Sequence, residues 1–282
     1  MQRTILKSSN TQNYLFMQKY PIYQVDAFTD RLFGGNPAAV VPLENWLPDA
    51  TMQLLARENN LAETAFFVPM AEANSWHLRW FTPTTEVDLC GHATLATAYV
   101  LFHCLHHAAD HISFQSRSGW LYVRREGDWL TLDFPTDHLQ PAEMPEVAKP
   151  GFLLQPREVW MGREDYLLVY DSEAEVLALA PDFRALAQAK ARGFIATAPG
   201  TQSDFVSRCF FPAFGIDEDP VTGSAHTTST PYWAEKLGKT TLTAIQCSER
   251  RGFLRCTLQG ERVLLSGQGK LYMEGHFLVN GS

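Results

Sequence analysis

A cysteine, a glycine and a histidine stand directly before an apolar run in the stretch "DLCGHATLATAYVLF", residues 88–102. A thiol beside an imidazole is typical of a nucleophile or of a metal ligand. Glycine followed by small apolar residues predicts instead the start of a helix, here over residues 92–105. That helix would be buried on all sides, because no face of the stretch is polar. Both interpretations place any chemistry at the N-terminal end of the helix.

A second segment of the chain repeats this pattern. Arg79-Trp-Phe-Thr-Pro83 parallels Arg208-Cys-Phe-Phe-Pro212, and each is followed by an acidic loop and by a glycine that begins a helix, Gly91 and Gly223. The match indicates an internal duplication. It predicts two similar lobes, each with a sheet around one buried helix, and ligands usually bind in the cleft between such lobes.

The two glycine–helix junctions together favour a carboxylate site. A helix N-terminus offers unpaired N–H groups and a partial positive charge, and glycine lets a ligand approach the backbone. Ser224, directly after Gly223, would add a hydroxyl donor or would merely cap its own helix, which is the commoner role of serine at a helix start. The residues alone leave both roles open.

Three further side chains could carry acid–base chemistry. Glu63 lies in "NNLAETAFFVP", at the start of an apolar strand, where a buried carboxylate would suit a general acid–base catalyst and an exposed one would do nothing. His92 alone is more typical of a structural histidine. Asp219, before Pro220, is typical of a turn. Each of these signals is weak by itself.

Cys90 allows a different chemistry. A thiol at a helix N-terminus can act as a base, and an epimerase that inverts a carbon centre with two thiols needs a matching one in the second lobe. In the second lobe the segment expected to correspond to Cys90 is Asp219-Pro220-Val221, which contains no cysteine. A metal site is not predicted either, because the histidines around Cys104 lack the second cluster that a closed site needs: His103, His106 and His107.

Composition bounds the class of protein. With 282 residues, 45% of them hydrophobic and 19% charged, the chain is typical of a globular enzyme. Its net charge of −8 argues against nucleic acid or an anionic membrane as partner. Five cysteines without a C-x-x-C pair predict reduced thiols and a cytoplasmic protein. Neither G-x-G-x-x-G nor G-x-x-x-x-G-K-[ST] occurs, so no nucleotide cofactor is expected.

Four segments carry a resemblance to a known family: "VDAFTDRLFGGNPAAVV", "ARENNLAETAFFV", "LRWFTPTTEVDLCGHATLATAYVL" and "RCFFPAFGIDEDPVTGSAH". In this order they resemble the PhzF-type phenazine-biosynthesis isomerases, which are structurally related to diaminopimelate epimerase. The likeness extends to the C-terminal "EGHFLV". It implies an α+β fold of two pseudo-symmetric lobes, each a barrel-like, mostly antiparallel sheet around a central buried helix. It also implies an enzyme without cofactor or metal, usually a homodimer.

The same resemblance implies roles for individual residues. Glu63 corresponds to the family's acid–base carboxylate, with His92 and Asp219 as its catalytic companions. The residues expected to bind substrate are Gly91, Gly223, Ser224 and Asn36. The sequence thus predicts an isomerase that moves a proton on a small carboxylate-bearing substrate in the interlobe cleft. An epimerase or racemase using Cys90 and a non-catalytic ligand-binding relative are the alternatives, and the substrate itself is not implied.

The predicted organisation has four parts. Residues 1–19 form an N-terminal extension, 20–134 the first lobe, 135–150 a proline-rich linker and 151–282 the second lobe. Packing of the last segment of the second lobe against the first lobe is compatible with this division. The closing stretch "RVLLSGQGKLYMEGHFLV" is expected to form a hairpin at its glycines.

Overall fold

The computed structural model describes residues 17–280, and the predicted extension, residues 1–16, lies outside this range. The extension was predicted to reach residue 19, but residues 17–19 belong to the first strand. The first lobe holds strands β1 to β8, which are Met17–Ala27, Asn36–Pro42, Glu63–Pro69, Ser75–Phe81, Glu86–Val87, His111–Ser116, Gly119–Glu126 and Trp129–Pro135. The second lobe holds β10 to β17, which are Glu158–Met161, Asp165–Val169, Gly193–Pro199, Phe205–Phe211, Ile216–Asp219, Thr241–Gln246, Gly252–Gln259 and Arg262–Gly267.

Two strands connect the lobes, β9 (Gln140–Pro141) and β18 (Gly269–Asn280). The α-helices α1 to α5 are Asp49–Asn59, Gly91–Tyr99, Glu173–Ala178, Phe183–Leu186 and Gly223–Leu237. A π-helical turn continues α2 from Val100 to Cys104, so the predicted helix over 92–105 is present but changes its winding. No helix within residues 17–280 has the length and the apolar character that a membrane span requires.

Strand directions are the same in both lobes. Along β1-β2-β3-β4-β6-β7-β8 successive pairs run antiparallel, parallel, antiparallel, parallel, antiparallel, antiparallel. The series β10-β11-β12-β13-β15-β16-β17 repeats these directions, and β8 pairs with β17 to join the two sheets. The repeated topology supports the predicted duplication.

Each sheet encloses one helix that has almost no solvent face. Residues 92–98 of α2 are all buried, and α2 packs against β1, β2, β3 and β8. In the second lobe α5 packs against β11, β15, β16 and β17. Small side chains such as Ala93, Ala96 and Ala98 let the strands approach α2 closely. The core of each lobe therefore lies between its helix and the concave side of its sheet.

The repeated arginines also have equivalent surroundings. Arg79 donates two hydrogen bonds to Glu86, with Nε–Oε1 and Nη2–Oε2 distances of 2.7 and 2.8 Å. Arg208 donates the same pair to Glu218, at 2.8 Å each. Because both salt bridges are bidentate and mostly buried, they fix the acidic loop that leads to each central helix.

The predicted C-terminal hairpin is wrong. β17 pairs with β16 and β8, whereas β18 pairs along its whole length with β1 of the first lobe. The chain therefore crosses from one sheet to the other at Gly267 and Gly269 and does not turn back on itself. The crossing is tightly packed, since an added Cβ at Gly267 would lie 2.3 Å from the Phe28 ring. The proline-rich segment 135–150 is held as well, by β9 pairing with β10 and by the Thr136 N–H bond to the Glu261 carbonyl.

Candidate active site

The N-termini of α2 and α5 meet at the centre of the molecule. A Cβ added to Gly91 would lie 3.4 Å from Gly223 Cα, and one added to Gly223 would lie 3.5 Å from Gly91 Cα. The residues that precede the two helices, Cys90 and Thr222, make no side-chain capping hydrogen bond. Both helix ends therefore direct uncapped N–H groups into one region, the arrangement predicted for a carboxylate site.

The residue equivalent to Cys90 is Thr222, not the Asp219–Val221 segment inferred from the sequence. Both are the N-cap residues of their helices. The acidic loop of the second lobe is longer, so counting from the repeated proline misplaces the match, whereas counting back from the helix start gives Thr222. The conclusion that the second lobe offers no matching thiol is unchanged.

Glu63 and His92 form the central contact of the site. Glu63 begins β3, and its Oε2 lies 3.1 Å from His92 Nε2, the two side chains being only 12% and 7% exposed. The approach lacks hydrogen-bond geometry, so neither atom has a hydrogen-bond partner among the described residues. Few buried polar atoms in a folded protein are left without a hydrogen-bond partner. The Glu63 carboxylate is thus sheltered, and the alternative of a solvent-facing side chain does not hold.

Asn36 connects this pair to the second lobe. Its Nδ2 lies 3.2 Å from His92 Nδ1 and donates to Asp219 Oδ1 at 2.9 Å and to the Val221 carbonyl at 3.0 Å. Asp219 and the Val221 carbonyl take both hydrogens of Nδ2, so its contact with His92 Nδ1 positions the ring and leaves Nε2 directed toward Glu63. Asn36 Oδ1 is a third buried atom without a partner in the described part of the chain. Glu63 and Asn36 thus contact the two ring nitrogens of His92, Nε2 and Nδ1.

The charges of the buried groups are set by burial and by each other. Burial raises the pKa of Asp219 to about 6, against the effects of His92 and of the Thr222 hydroxyl that donates to it. Burial alone would lower the pKa of His92, but its interactions with the Cys90 sulfur and the Glu63 carboxylate outweigh burial and raise that pKa. Burial also raises the pKa of Cys90 to about 11, so its thiol is neutral at physiological pH.

Ser224 is the second residue of α5 and does not cap it. Its hydroxyl accepts a hydrogen bond of 3.0 Å from Arg192 Nη2. Of the seven predicted site residues, the structure thus brings six together at the helix junction, Asn36, Glu63, Gly91, His92, Asp219 and Gly223, with Ser224 one residue further into α5.

Two buried polar residues of the site were missed by the sequence analysis. Gln246 Nε2 donates to the Asp219 carbonyl at 2.7 Å, and its Oε1 accepts from the Thr222 N–H at 2.8 Å. His226 Nδ1 lies 2.8 Å from the Thr222 carbonyl. The alternation of buried residues in β15 would have placed Gln246 in the core, where an amide needs partners. Both side chains hold the loop that carries Asp219.

Burial of His226 predicts an acid-sensitive core. Burial lowers its pKa from 6.5 to about 4. Because the unfolded chain binds this proton at higher pH than the folded one, the free energy of unfolding should fall as pH drops from 6.5 to 4, on the order of 3 kcal/mol from this group. Urea titrations at several pH values would measure it. His226→Gln should remove this part of the slope and leave the opposite contribution of Asp219; an unchanged slope would contradict the assignment.

One set of donors in the site matches those of a transition-metal centre. Glu63, Cys90 and His92 each offer one atom, and these atoms lie within 4.8 Å of one another. A closed zinc site needs a fourth ligand, and thiolate binding would require a proton to leave Cys90, whose pKa is about 11. The trio fits an acid–base group better than a closed zinc centre.

Comparison with known proteins identifies the family. The family model of phenazine biosynthesis-like proteins (PhzC-PhzF) matches residues 25–275. The chain belongs to this family. An uncharacterized isomerase of Pseudomonas aeruginosa is 52% identical over 254 residues, which cover 90% of this chain and 97% of that protein.

Solved structures agree with this assignment. A PhzF family protein of Enterococcus faecalis has a TM-score of 0.88 at 46% identity, covering 92% of this chain and 99% of that one. A hydroxyproline epimerase from Agrobacterium vitis shares the fold alone, with a TM-score of 0.56 at 9% identity over 93% of each chain. The chain thus has the α+β fold of the PhzF and epimerase-like proteins and is an isomerase of this family.

Proposed function

We propose that this isomerase moves a proton between carbons of a small carboxylate-bearing substrate, without a cofactor, and that Glu63 transfers the proton. The observation that carries the proposal is the contact between Glu63 and His92 beside two helix N-termini. Their side chains are 12% and 7% exposed, and their facing atoms have no hydrogen-bond partner within residues 17–280. Proton abstraction next to a substrate carboxylate requires a base shielded from water and donors that bind the anion. Glu63 and the two helix N-termini provide these.

The proposed mechanism uses each residue through its position. The substrate carboxylate lies against the N–H groups at Gly91 and Gly223, which brings its neighbouring carbon to Glu63. Glu63 removes a proton there and returns it at another carbon. His92 Nε2–H and the helix ends stabilise the negative charge that develops. Asp219, through Asn36, holds the His92 ring in the orientation that directs Nε2 toward Glu63.

The experiment is a screen for solvent hydrogen exchange. Unsaturated and 2-substituted carboxylic acids are incubated with the protein in heavy water, and deuterium bound to carbon is detected by NMR and mass spectrometry. Deuterium in a rearranged product supports the isomerase. A ligand that raises the melting temperature without any exchange by the active preparation would favour the non-catalytic alternative instead.

Cys90 tests the epimerase alternative. A thiol with a pKa of about 11, opposite Thr222 rather than a second cysteine, does not suit a two-thiol inversion. We expect Cys90→Ala to turn over close to the wild-type rate, with Cys247→Ala as a control for loss of a buried thiol elsewhere. Steady-state kinetics of both variants would check this. Loss of turnover in Cys90→Ala alone would make the thiol a base.

The expected homodimer stays a prediction from the family resemblance. An exposed apolar surface is available for it at Phe33 and Tyr272, whose rings pack at 5.8 Å, and Met273. Light scattering coupled to size exclusion would measure the mass, and a monomer at micromolar concentration would contradict the prediction.

A further inference from the structure

Arg192 lies, in the second lobe, directly before the position that Glu63 has in the first. The strands β3 and β12 are equivalent, each seven residues long and each ending in proline, so Glu63 corresponds to Gly193 and Arg192 directly precedes it. Glu63 contacts His92, the second residue of α2, and Arg192 contacts Ser224, the second residue of α5. The duplication thus puts an acid on one side of the helix junction and a cation on the other.

The guanidinium of Arg192 is held in a fixed orientation. Its Nε donates to Asp165 Oδ1 at 2.9 Å, and Nη2 contacts Asp165 Oδ2 and donates to Ser224 Oγ. Asp165 is only 2% exposed, and the Phe211 ring lies 5.5 Å from the guanidinium carbon. Asp165 and Ser224 occupy Nε and Nη2, so Nη1, which lies 3.5 Å from Glu164 Oε2, is the donor that a carboxylate in the cavity would meet.

Arg192 also lines an open cavity of about 450 Å³. Two more cations, Arg163 and Lys190, line it, together with Glu164 and the exposed ring of Phe214. Glu164 pairs with Arg192, whereas Arg163 and Lys190 form no salt bridge with any described residue. Because Arg192 is already paired with Asp165 and Glu164, the positive charge of the cavity comes from Arg163 and Lys190, in a chain with a net charge of −8.

We propose that this cavity binds a second carboxylate of the substrate, at the end remote from the carbon that Glu63 attacks. This deepens the proposed function and rests on it: the helix junction binds one carboxylate, and Arg163, Lys190 and Arg192 bind the other. The substrate class is then a dicarboxylate. Arg192 lines the cavity and donates to Ser224, the second residue of α5, so this hydrogen bond links the two carboxylate sites.

Calorimetric titration tests the proposal with defined probes. The probes are butyrate, the dicarboxylates succinate, glutarate and adipate, and inorganic phosphate. Arg192 itself is not replaced first, because its loss would leave buried Asp165 without its cation and would destabilise the fold. The test variant is Arg163→Ala/Lys190→Ala. The control, Arg124→Ala/Lys270→Ala, removes the same charge from exposed positions elsewhere.

We expect one dicarboxylate to bind the wild type more tightly than butyrate. The test variant should lose about tenfold in affinity for it, the usual effect of losing hydrogen bonds to a charged group, and should keep its butyrate affinity. The control should keep both. Equal affinities of dicarboxylates and butyrate in the wild type, equal losses in both variants, or phosphate binding alone that depends on Arg163 and Lys190 would each overturn the proposal.

The outcomes separate this proposal from the proposed function. Butyrate binding without any gain for dicarboxylates refutes the carboxylate cavity and leaves the proton-transfer site intact. A dicarboxylate gain that is lost in the test variant, found together with an absence of carbon-bound deuterium, supports the cavity and contradicts the isomerase mechanism.

Discussion

Glu63→Gln is expected to lose about 10²- to 10⁴-fold in turnover, the usual contribution of a general acid–base group. The amide has nearly the same shape as the carboxylate but cannot accept and return a proton. Because Glu63 Oε2 has no hydrogen-bond partner among the described residues, the replacement breaks no hydrogen bond that holds the fold. The rate of deuterium incorporation into the first substrate found would measure the loss, and urea unfolding would confirm that stability is retained.

A matched control separates catalysis from a general effect of charge. Glu58→Gln makes the same chemical change on the exposed surface of α1 and should leave turnover unchanged. Ligand binding by Glu63→Gln, measured by calorimetry, should stay close to that of the wild type, since the helix junction binds the carboxylate. A Glu63→Gln enzyme with nearly full activity would refute the proton-transfer role, whatever the other residues do.

The parts of the fold that sequence predicted are those with a local signal. The repeated arginine–proline segments and glycine–helix starts lie within short stretches, and the structure gives them the same pairing, Arg79 with Glu86 and Arg208 with Glu218. Helix burial followed from the absence of Asp, Glu, Lys and Arg in α2. These features depend on contacts between near neighbours in the chain or on composition alone.

The parts that sequence could not predict depend on contacts between distant segments. Whether Glu63 is sheltered is decided by α2, since His92 covers its carboxylate. The C-terminal strand finds its partner in β1, more than two hundred residues away, so its glycines could not distinguish a hairpin from a crossing. The sequence around Arg192 contains no motif, and only the equivalence of β3 and β12 shows that it lies one residue before the counterpart of Glu63.

Gly35 supports the site through the backbone, and its replacement should be strongly destabilising. Its φ is +61°, and an added Cβ would lie 2.1 Å from the Ala27 carbonyl oxygen. The same residue joins the lobes, because its N–H donates to the Arg251 carbonyl at 2.7 Å and its carbonyl accepts from Arg250 Nε at 2.9 Å. Asn36 follows directly, so any shift of this backbone moves the amide that orients His92.

Gly35→Ala is therefore expected to lower the free energy of unfolding by about 3 kcal/mol or more, from left-handed strain and a clash with backbone that cannot move aside. Urea unfolding would measure it. Gly127→Ala is the matched control, since Gly127 has a φ of +58° but no atom within 4 Å of an added Cβ. That variant should lose only about 1 kcal/mol, the cost of the backbone conformation alone. Equal losses in the two variants would show that the backbone around Gly35 can shift to accommodate a Cβ. Asn36 would then be held less rigidly than a preorganised site requires.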